Sequence, residues 1–247
     1  MKDLPFIIHV PHSSTHIPEE FRNQFILSQT ELEDEIEMMT DHNTHEMVAW
    51  YDQVVRFDYT RLLVDVERFW DEREEPMSRI GMGAIYQSSH KLQKIRKKLD
   101  QNQRLVLKNL YDLHHQSLEN EVSTQIERFG SSSIIDLHSY PKEKLPYETP
   151  EGRRPELCIG TDPFHTPENL QAAVENLAKS FNLDFCLNTP FSGSLVPIKF
   201  YQKDKRVSSI MLEWRRDLYL NDGKKIPEKI KLISNFIQNL IEKISNE

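Results

Sequence analysis

The sequence predicts an α/β fold: a mixed central β-sheet with helices on both faces. Two observations predict it. Short β-rich runs alternate with long helical patterns along the chain, the order expected of a layered sheet. The 247 residues are 38% hydrophobic and 28% charged, enough for one sizeable core and too apolar for disorder. A single domain over residues 1–247 is therefore expected, with no internal repeat and no linker.

Phe6–Val10 reads as the first strand, stopped by Pro11. Ser28 can cap a helix from Glu31 past Met38, and a second helical stretch is expected over 46–51. Residues 54–57 and 62–66 read as neighbouring strands. A long helical pattern follows, with Leu92, Ile95, Leu99, Val106, Leu110 and Leu113 at three- or four-residue spacing or its multiples, ended by Gly130. Lys94, Arg96, Lys97 and Lys98 alternate with apolar residues there and read as the wet face of that helix. Residues 133–137 form a strand that delivers His138 at its end. The stretch 141–155, rich in Pro, Lys and Glu, reads as an exposed loop. Further strands are expected at 157–160, 185–187, 195–201 and 208–214. Residues 167–181 and 226–244 are helical, the last with Ile230, Ile233, Phe236, Ile237 and Ile241 facing inward.

The formal charge of −8 and pI near 5.7 oppose a nucleic-acid partner. No apolar run approaches the roughly 20 residues of a membrane span. Asp3 and Pro5 precede only a short apolar stretch, unlike a secretory signal, so a cytoplasmic location is expected. Cys158 and Cys186 lie in apolar runs and read as buried thiols rather than a disulfide.

The ten histidines are clustered. His9, His12 and His16 crowd the end of the first strand in HVPHSSTH, and His42 and His45 follow in TDHNTHE. His114 and His115 sit in the long helix, and His138 ends a strand in IIDLHSYP. In open α/β sheets, sites form beyond the carboxyl ends of strands, where His12 and His138 both lie. Imidazoles so placed suit a metal. Asp136 and His138, two apart on a strand, share a face, so the carboxylate can orient the imidazole or simply pair with it. In SIMLEWRRD, Glu213 ends a core strand, where a carboxylate is costly unless paired or working. It serves either as a general base or as a partner of a nearby arginine. In YTRLLVDVERF, Arg61, Asp65 and Arg68 flank an apolar run, as a carboxylate-binding fork or as a structural ion pair. Gly193 in NTPFSGS allows close backbone approach to a ligand or makes a plain turn.

Taken in order, these segments resemble the N-formylglutamate amidohydrolases, from about residue 6 to 220. PHSSTHIP is similar to the family's PHSG-type opening, with Ser14 in place of glycine. TDHNTHEMV is similar to an acidic motif at Asp41, with His45 where a second aspartate is frequent. TRLLVDVERF keeps Arg61, Asp65 and Arg68 of an SR…D.NR stretch but has Glu67 for asparagine. LHHQSL matches at His115 and DLHS at His138 and Ser139. NTPFSGS has Ser194 for a glycine, and LEWRRDLYL matches at Glu213, Arg216 and Tyr219.

The resemblance implies a metallocarboxypeptidase-like fold and hydrolysis of an acyl amide at one zinc ion. His12 and His138 are the implied ligands, with Asp41 preferred as the third over His42 and His16. It implies Glu213 as general base, Arg61 at the oxyanion and Arg68 on a substrate carboxylate. Asp65, Ser139, Gly193, Arg216 and His115 would complete the substrate site, although His115 is also in register for core packing. The implied partner is a small N-acyl amino acid carrying a carboxylate, with neither nucleic acid nor membrane. The sequence leaves the oligomeric state open.

Overall fold

Alternation of side chains along the strands decides which residues meet which layer. The computed structural model of the chain describes residues 4–148 and 152–245. In chain order the main elements are β1 (Phe6–Val10), α1 (Glu19–Arg22), α2 (Gln29–Met39), α3 (Thr44–Met47), β2 (Val54–Arg56) and α4 (Gln101–Phe129). After these come β3 (Ser132–Tyr140), β4 (Leu157–Gly160), α5 (Glu168–Ser180), β5 (Phe185–Leu187) and β6 (Val207–Arg215). A hairpin of β7 (Leu220–Asn221) and β8 (Lys224–Lys225) leads into α6 (Pro227–Ser245). Asp222 and Gly223 turn the hairpin with positive φ, as a two-residue loop requires.

Six strands form one sheet in the order β2-β1-β3-β6-β4-β5. Neighbours run parallel except β4 and β6. Phe6, Ile8, Ile135, Leu137, Ile210, Leu212 and Trp214 point to one face and pack with residues of α5 and α6. Ile7, Ile134 and Val207 point to the other and meet Leu118 and Val122 of α4. The same period-2 rule sends His9, Asp136, His138 and Glu213 to the α4 face. The predicted mixed sheet with helices on both faces is what the chain adopts.

Local signals placed several boundaries. Ser28 caps α2 in a capping box with Glu31, satisfying orphan N–H groups of the first turn. Asp100 and Gln103 do the same for α4, and Gly130 ends it at φ 82°, a conformation that favours glycine. Helix α3 is shorter than the expected 46–51 and begins at Thr44.

Three expectations are corrected. Residues 62–66 are not a strand but a buried, turning segment. Asp65 Oδ1 accepts from Glu67 N at 2.9 Å, bending the chain, and the carbonyls of Leu62 and Leu63 accept from Arg96 instead of a neighbouring strand. Residues 195–201 are also not a strand. Phe200 N and Tyr201 N both return to Pro197 O, at 2.8 and 3.0 Å, closing a turn.

The third correction concerns residues 92–99, which precede α4 instead of joining it and make only isolated bridges, such as Phe25 with Arg96. Arg96 is therefore no solvated helix face. It is 0% exposed, stacked over Phe25 with 4.6 Å to the ring centroid. The inward stripe of α4 is Leu107, Tyr111, His114, Leu118, Val122 and Gln125, whereas Leu113 is 68% exposed and Val106 is exposed as well. The stripe escaped the hydrophobic pattern because half of it is polar or aromatic. Its polar members find partners, for example Gln125 Nε2 donating to Phe6 O at 2.8 Å.

Cys158 is buried and Cys186 half-buried; both are free thiols. The described part of 141–155 carries neither helix nor strand, and 149–151 lie outside the described residues. No described helix is long and apolar enough to cross a membrane.

Gly160, at the end of β4, has no room for a side chain. A Cβ there would lie 2.2 Å from the Gly193 carbonyl oxygen and 2.4 Å from Met211 Cε. Gly160→Ala is expected to lower unfolding stability by about 1–3 kcal/mol through overpacking, read as a lower urea midpoint at unchanged slope. An unchanged midpoint would contradict this packing.

Candidate active site

Because β1, β3 and β6 are mutually parallel neighbours, their carboxyl ends lie at one edge of the sheet. His12 follows the end of β1, His138 lies near the end of β3, and Glu213 is its register partner on β6. Paired residues on adjacent strands sit about 5 Å apart. These three side chains line a cavity of about 610 Å³ together with Arg61, Glu67, Arg68, His115, Ser139, Gly193 and Arg216.

The two imidazoles are held in matching ways. His12 Nε2 lies 2.9 Å from Asp65 Oδ1, and His138 Nε2 lies 3.0 Å from Asp136 Oδ1. Each carboxylate accepts from Nε2–H and turns the opposite nitrogen, Nδ1, inward. Burial opposes protonation of His138, but Asp136 and Asp41 raise it well above the usual imidazole range, and its Nδ1 donates to Asp41. Both Nδ1 atoms face Asp41 Oδ2, at 3.6 Å from His12 and 3.3 Å from His138. His12 Nδ1 is buried with no hydrogen-bond partner. Asp41 is anchored from behind, its Oδ1 accepting from Arg216 Nη2 at 3.2 Å, and its backbone N–H donates to His12 O at 2.9 Å. His12, Asp41 and His138 thus converge as a buried donor group. The rivals for the third position lie elsewhere: His42 Nε2 is 2.8 Å from Glu37 O, and His16 is exposed beside Tyr59.

Asp65 is the most heavily bonded carboxylate of the site. Besides His12 and Glu67 N, it accepts from Arg61 Nε and Nη2 at 3.1 and 2.8 Å and from Tyr86 Oη at 2.8 Å. Burial opposes its ionisation, but Arg61 and His12 prevail and hold the carboxyl well below the usual range. The structural ion pair anticipated for Asp65 is therefore present, and Asp65 also orients His12. Arg68 Nε has no hydrogen-bond partner and stands 3.8 Å from Asp65. Arg216 is committed to Met38 O, Asp41 and Ser139.

Glu213 differs from these. No hydrogen bond reaches its buried Oε2, and burial pushes its carboxyl up to about 7. It does not pair with a neighbouring arginine; Arg215 turns to Asp217. Cys158, in register beside it, has its thiol pushed up to about 12 by burial, which removes it as a nucleophile. His115 lines the cavity with a buried, unpartnered Nε2 and a ring 4.2 Å from Tyr111, so it packs in α4 and faces the site at once.

A second convergence on the same face joins His9, Glu67 and Asp136. His9 Nδ1 lies 2.9 Å from Asp136 and 3.2 Å from Glu67, and its Nε2 is 2.8 Å from His114 Nε2. Burial opposes protonation of His9, yet the two carboxylates push it up to about 9. Burial and the neighbouring His9 push His114 down to about 2. His9 thus donates at both nitrogens, once to a carboxylate and once to a neutral imidazole.

Comparison with known proteins decides the family. The family model for N-formylglutamate amidohydrolase matches residues 4–220. The chain belongs to the N-formylglutamate amidohydrolase family. Membership implies amide hydrolysis on a small molecule. The crystal structure of an N-formylglutamate amidohydrolase from Ralstonia eutropha JMP134 superposes with a TM-score of 0.83 at 20% identity, covering 98% of this chain and 93% of that one. The structure of gene product Atu2144 from Agrobacterium tumefaciens reaches 0.69 at 20% identity, with 97% and 90% covered. At this identity both likenesses speak to the fold. No curated protein matches the chain.

In this N-formylglutamate amidohydrolase family member, sequence reasoning did not single out Tyr86 or the His9–His114 pair as parts of the site. A signal existed for His9, a histidine set inside the apolar strand run FIIHV; none existed for Tyr86. Asp65→Leu would leave the Arg61 guanidinium buried and unpaired, so a loss of about 3–5 kcal/mol in unfolding stability is expected. A change under about 1 kcal/mol by urea titration would show that Asp65 is not the anchor described.

Proposed function

We propose that the chain hydrolyses the amide bond of an N-acyl amino acid with one zinc ion held by His12 Nδ1, His138 Nδ1 and Asp41. The observation that carries this reading is the paired clamp: two carboxylates fix the far nitrogens of two imidazoles and turn both near nitrogens on one carboxylate oxygen. The unpartnered His12 Nδ1 fits a metal, because an orphaned buried polar atom is otherwise costly. Two imidazoles and a carboxylate are a usual donor set for catalytic zinc. When bound, the ion supplies Lewis acidity to the amide carbonyl and lowers the pKa of water at the site to about 7.

The remaining chemistry falls to the chain. Glu213, with a buried Oε2 that has no hydrogen-bond partner and a carboxyl pushed up to about 7 by burial, takes the proton of the attacking water and delivers one to the leaving nitrogen as the C–N bond breaks. The products are a carboxylic acid and a free amine. Arg61 has Nε and Nη2 fixed by Asp65, leaving Nη1 donors for the oxygen on which charge develops. Arg68 lines the cavity, its buried Nε without a hydrogen-bond partner, and its guanidinium is the seat for the carboxylate of the amino acid. Ser139 and Arg216 support the site through Asp41, and the Gly193 turn and His115 border the cavity. With the family's name substrate, N-formyl-L-glutamate, the products would be formate and glutamate.

Elemental analysis of the purified chain is expected to give one zinc per chain, and His138→Ala to abolish it. Glu213→Gln is expected to keep the zinc and lose about 10²–10⁴ in kcat. Full activity in that variant would remove Glu213 from its role. Zinc without turnover on any N-acyl amino acid would make the chain a metal binder instead of an enzyme.

A further inference from the structure

The cavity holds far more apolar space and fewer available cations than a formyl group on a dicarboxylic amino acid needs. Its volume of about 610 Å³ lies in the range of about 300–1,000 Å³ that takes drug-sized ligands, larger than a formylated amino acid with a short side chain. Met38, Met77, Leu145 and Phe191 line it. Phe69 and Ile198 line it too, and they are 44% and 63% exposed to solvent. These side chains give the cavity an apolar wall that a bound ligand can bury.

The charge inventory points the same way. Among the described residues lining the cavity, the arginines are Arg61, Arg68 and Arg216. Asp65 engages Arg61, and Asp41, Ser139 and Met38 O engage Arg216. Arg68, with its unpartnered Nε, is left as one seat for a carboxylate. The residue beside it is Glu67, whose carboxylate also lines the cavity; its Oε1 lies 3.2 Å from His9 Nδ1, which Asp136 also engages at 2.9 Å, so one imidazole serves two carboxylates. A second substrate carboxylate would meet this like charge instead of a second cation.

We propose that the preferred substrate carries one carboxylate, seated at Arg68, and a bulky apolar group on either its acyl part or its side chain. Glu67 excludes a second carboxylate. The inference rests on the amide-hydrolase reading above and narrows its substrate class.

The test compares N-formyl-L-glutamate, N-formyl-L-phenylalanine and N-octanoyl-L-alanine on the zinc-loaded full chain. At least one of the two apolar compounds is expected to exceed N-formyl-L-glutamate tenfold or more in kcat/KM, since each methylene fitted into an apolar pocket is worth about 10- to 200-fold. Which of them wins tells whether the apolar space serves the side chain or the acyl group. Equal or better turnover of N-formyl-L-glutamate overturns the proposal. Glu67→Gln is expected to raise kcat/KM for N-formyl-L-glutamate relative to N-formyl-L-phenylalanine by fivefold or more; an unchanged ratio overturns the role of Glu67. Calorimetric binding of the same three compounds to Glu213→Gln separates the two claims. Tighter binding of an apolar monocarboxylate supports the substrate class even if the wild-type chain turns nothing over, and preference for N-formyl-L-glutamate there overturns it.

Discussion

Asp65 is a fully buried carboxylate whose two oxygens receive the imidazole of His12, the guanidinium of Arg61, the hydroxyl of Tyr86 and the backbone N–H of Glu67. A charge out of water is tolerable only when its lone pairs are filled, and here they are. The same bonds do three jobs. They bend the apolar run 62–66 away from strand geometry, they hold Arg61 beside the cavity, and they choose which nitrogen of His12 is turned inward. Local chain path and site chemistry thus depend on one side chain.

Around this knot, the sheet supplies position. Period-2 alternation puts Ile8, Ile135, Leu137 and Leu212 into the apolar layer with α5 and α6, and His9, Asp136, His138 and Glu213 on the opposite face. A polar face of this kind has to be covered by groups that can bond to it. The inward stripe of α4 answers with His114, Tyr111 and Gln125 in place of a purely aliphatic row. The contrast between carboxylates follows from the same accounting. Asp65 and Asp136 are saturated with donors and ionised, whereas Glu213 keeps an oxygen without a partner and is raised toward neutrality by burial. Two kinds of carboxylate on one face are what proton transfer beside a fixed donor group requires.

Much of this was legible in the residues. The strands at 6–10, 157–160 and 185–187, the core of β3 and β6, the Ser28 cap and the Gly130 stop follow from local propensity and turn chemistry. His12, His138 and Glu213 were visible because polar residues at the ends of apolar strands are expensive without a purpose. The failures share a cause. Residues 62–66 and 195–201 have strand-like composition, but their backbone bonds go to Arg96 and to the turn at Pro197, partners that only the tertiary structure provides. Residues 92–99 continue the helical spacing of α4 by accident, and the capping box at Asp100 overrides it. Asp41 was separable from His42 and His16 only once the fold placed His42 against Glu37 and His16 beside Tyr59. Tyr86 carries no local mark at all.

The central claim is that one cation sits between His12, His138 and Asp41. Anomalous diffraction at the zinc absorption edge, from crystals of the zinc-loaded chain, tests it most directly. One strong peak is expected about 2.0–2.2 Å from His12 Nδ1, His138 Nδ1 and an Asp41 oxygen. A peak among His9, Glu67 and Asp136, or none near His12 and His138, would contradict it.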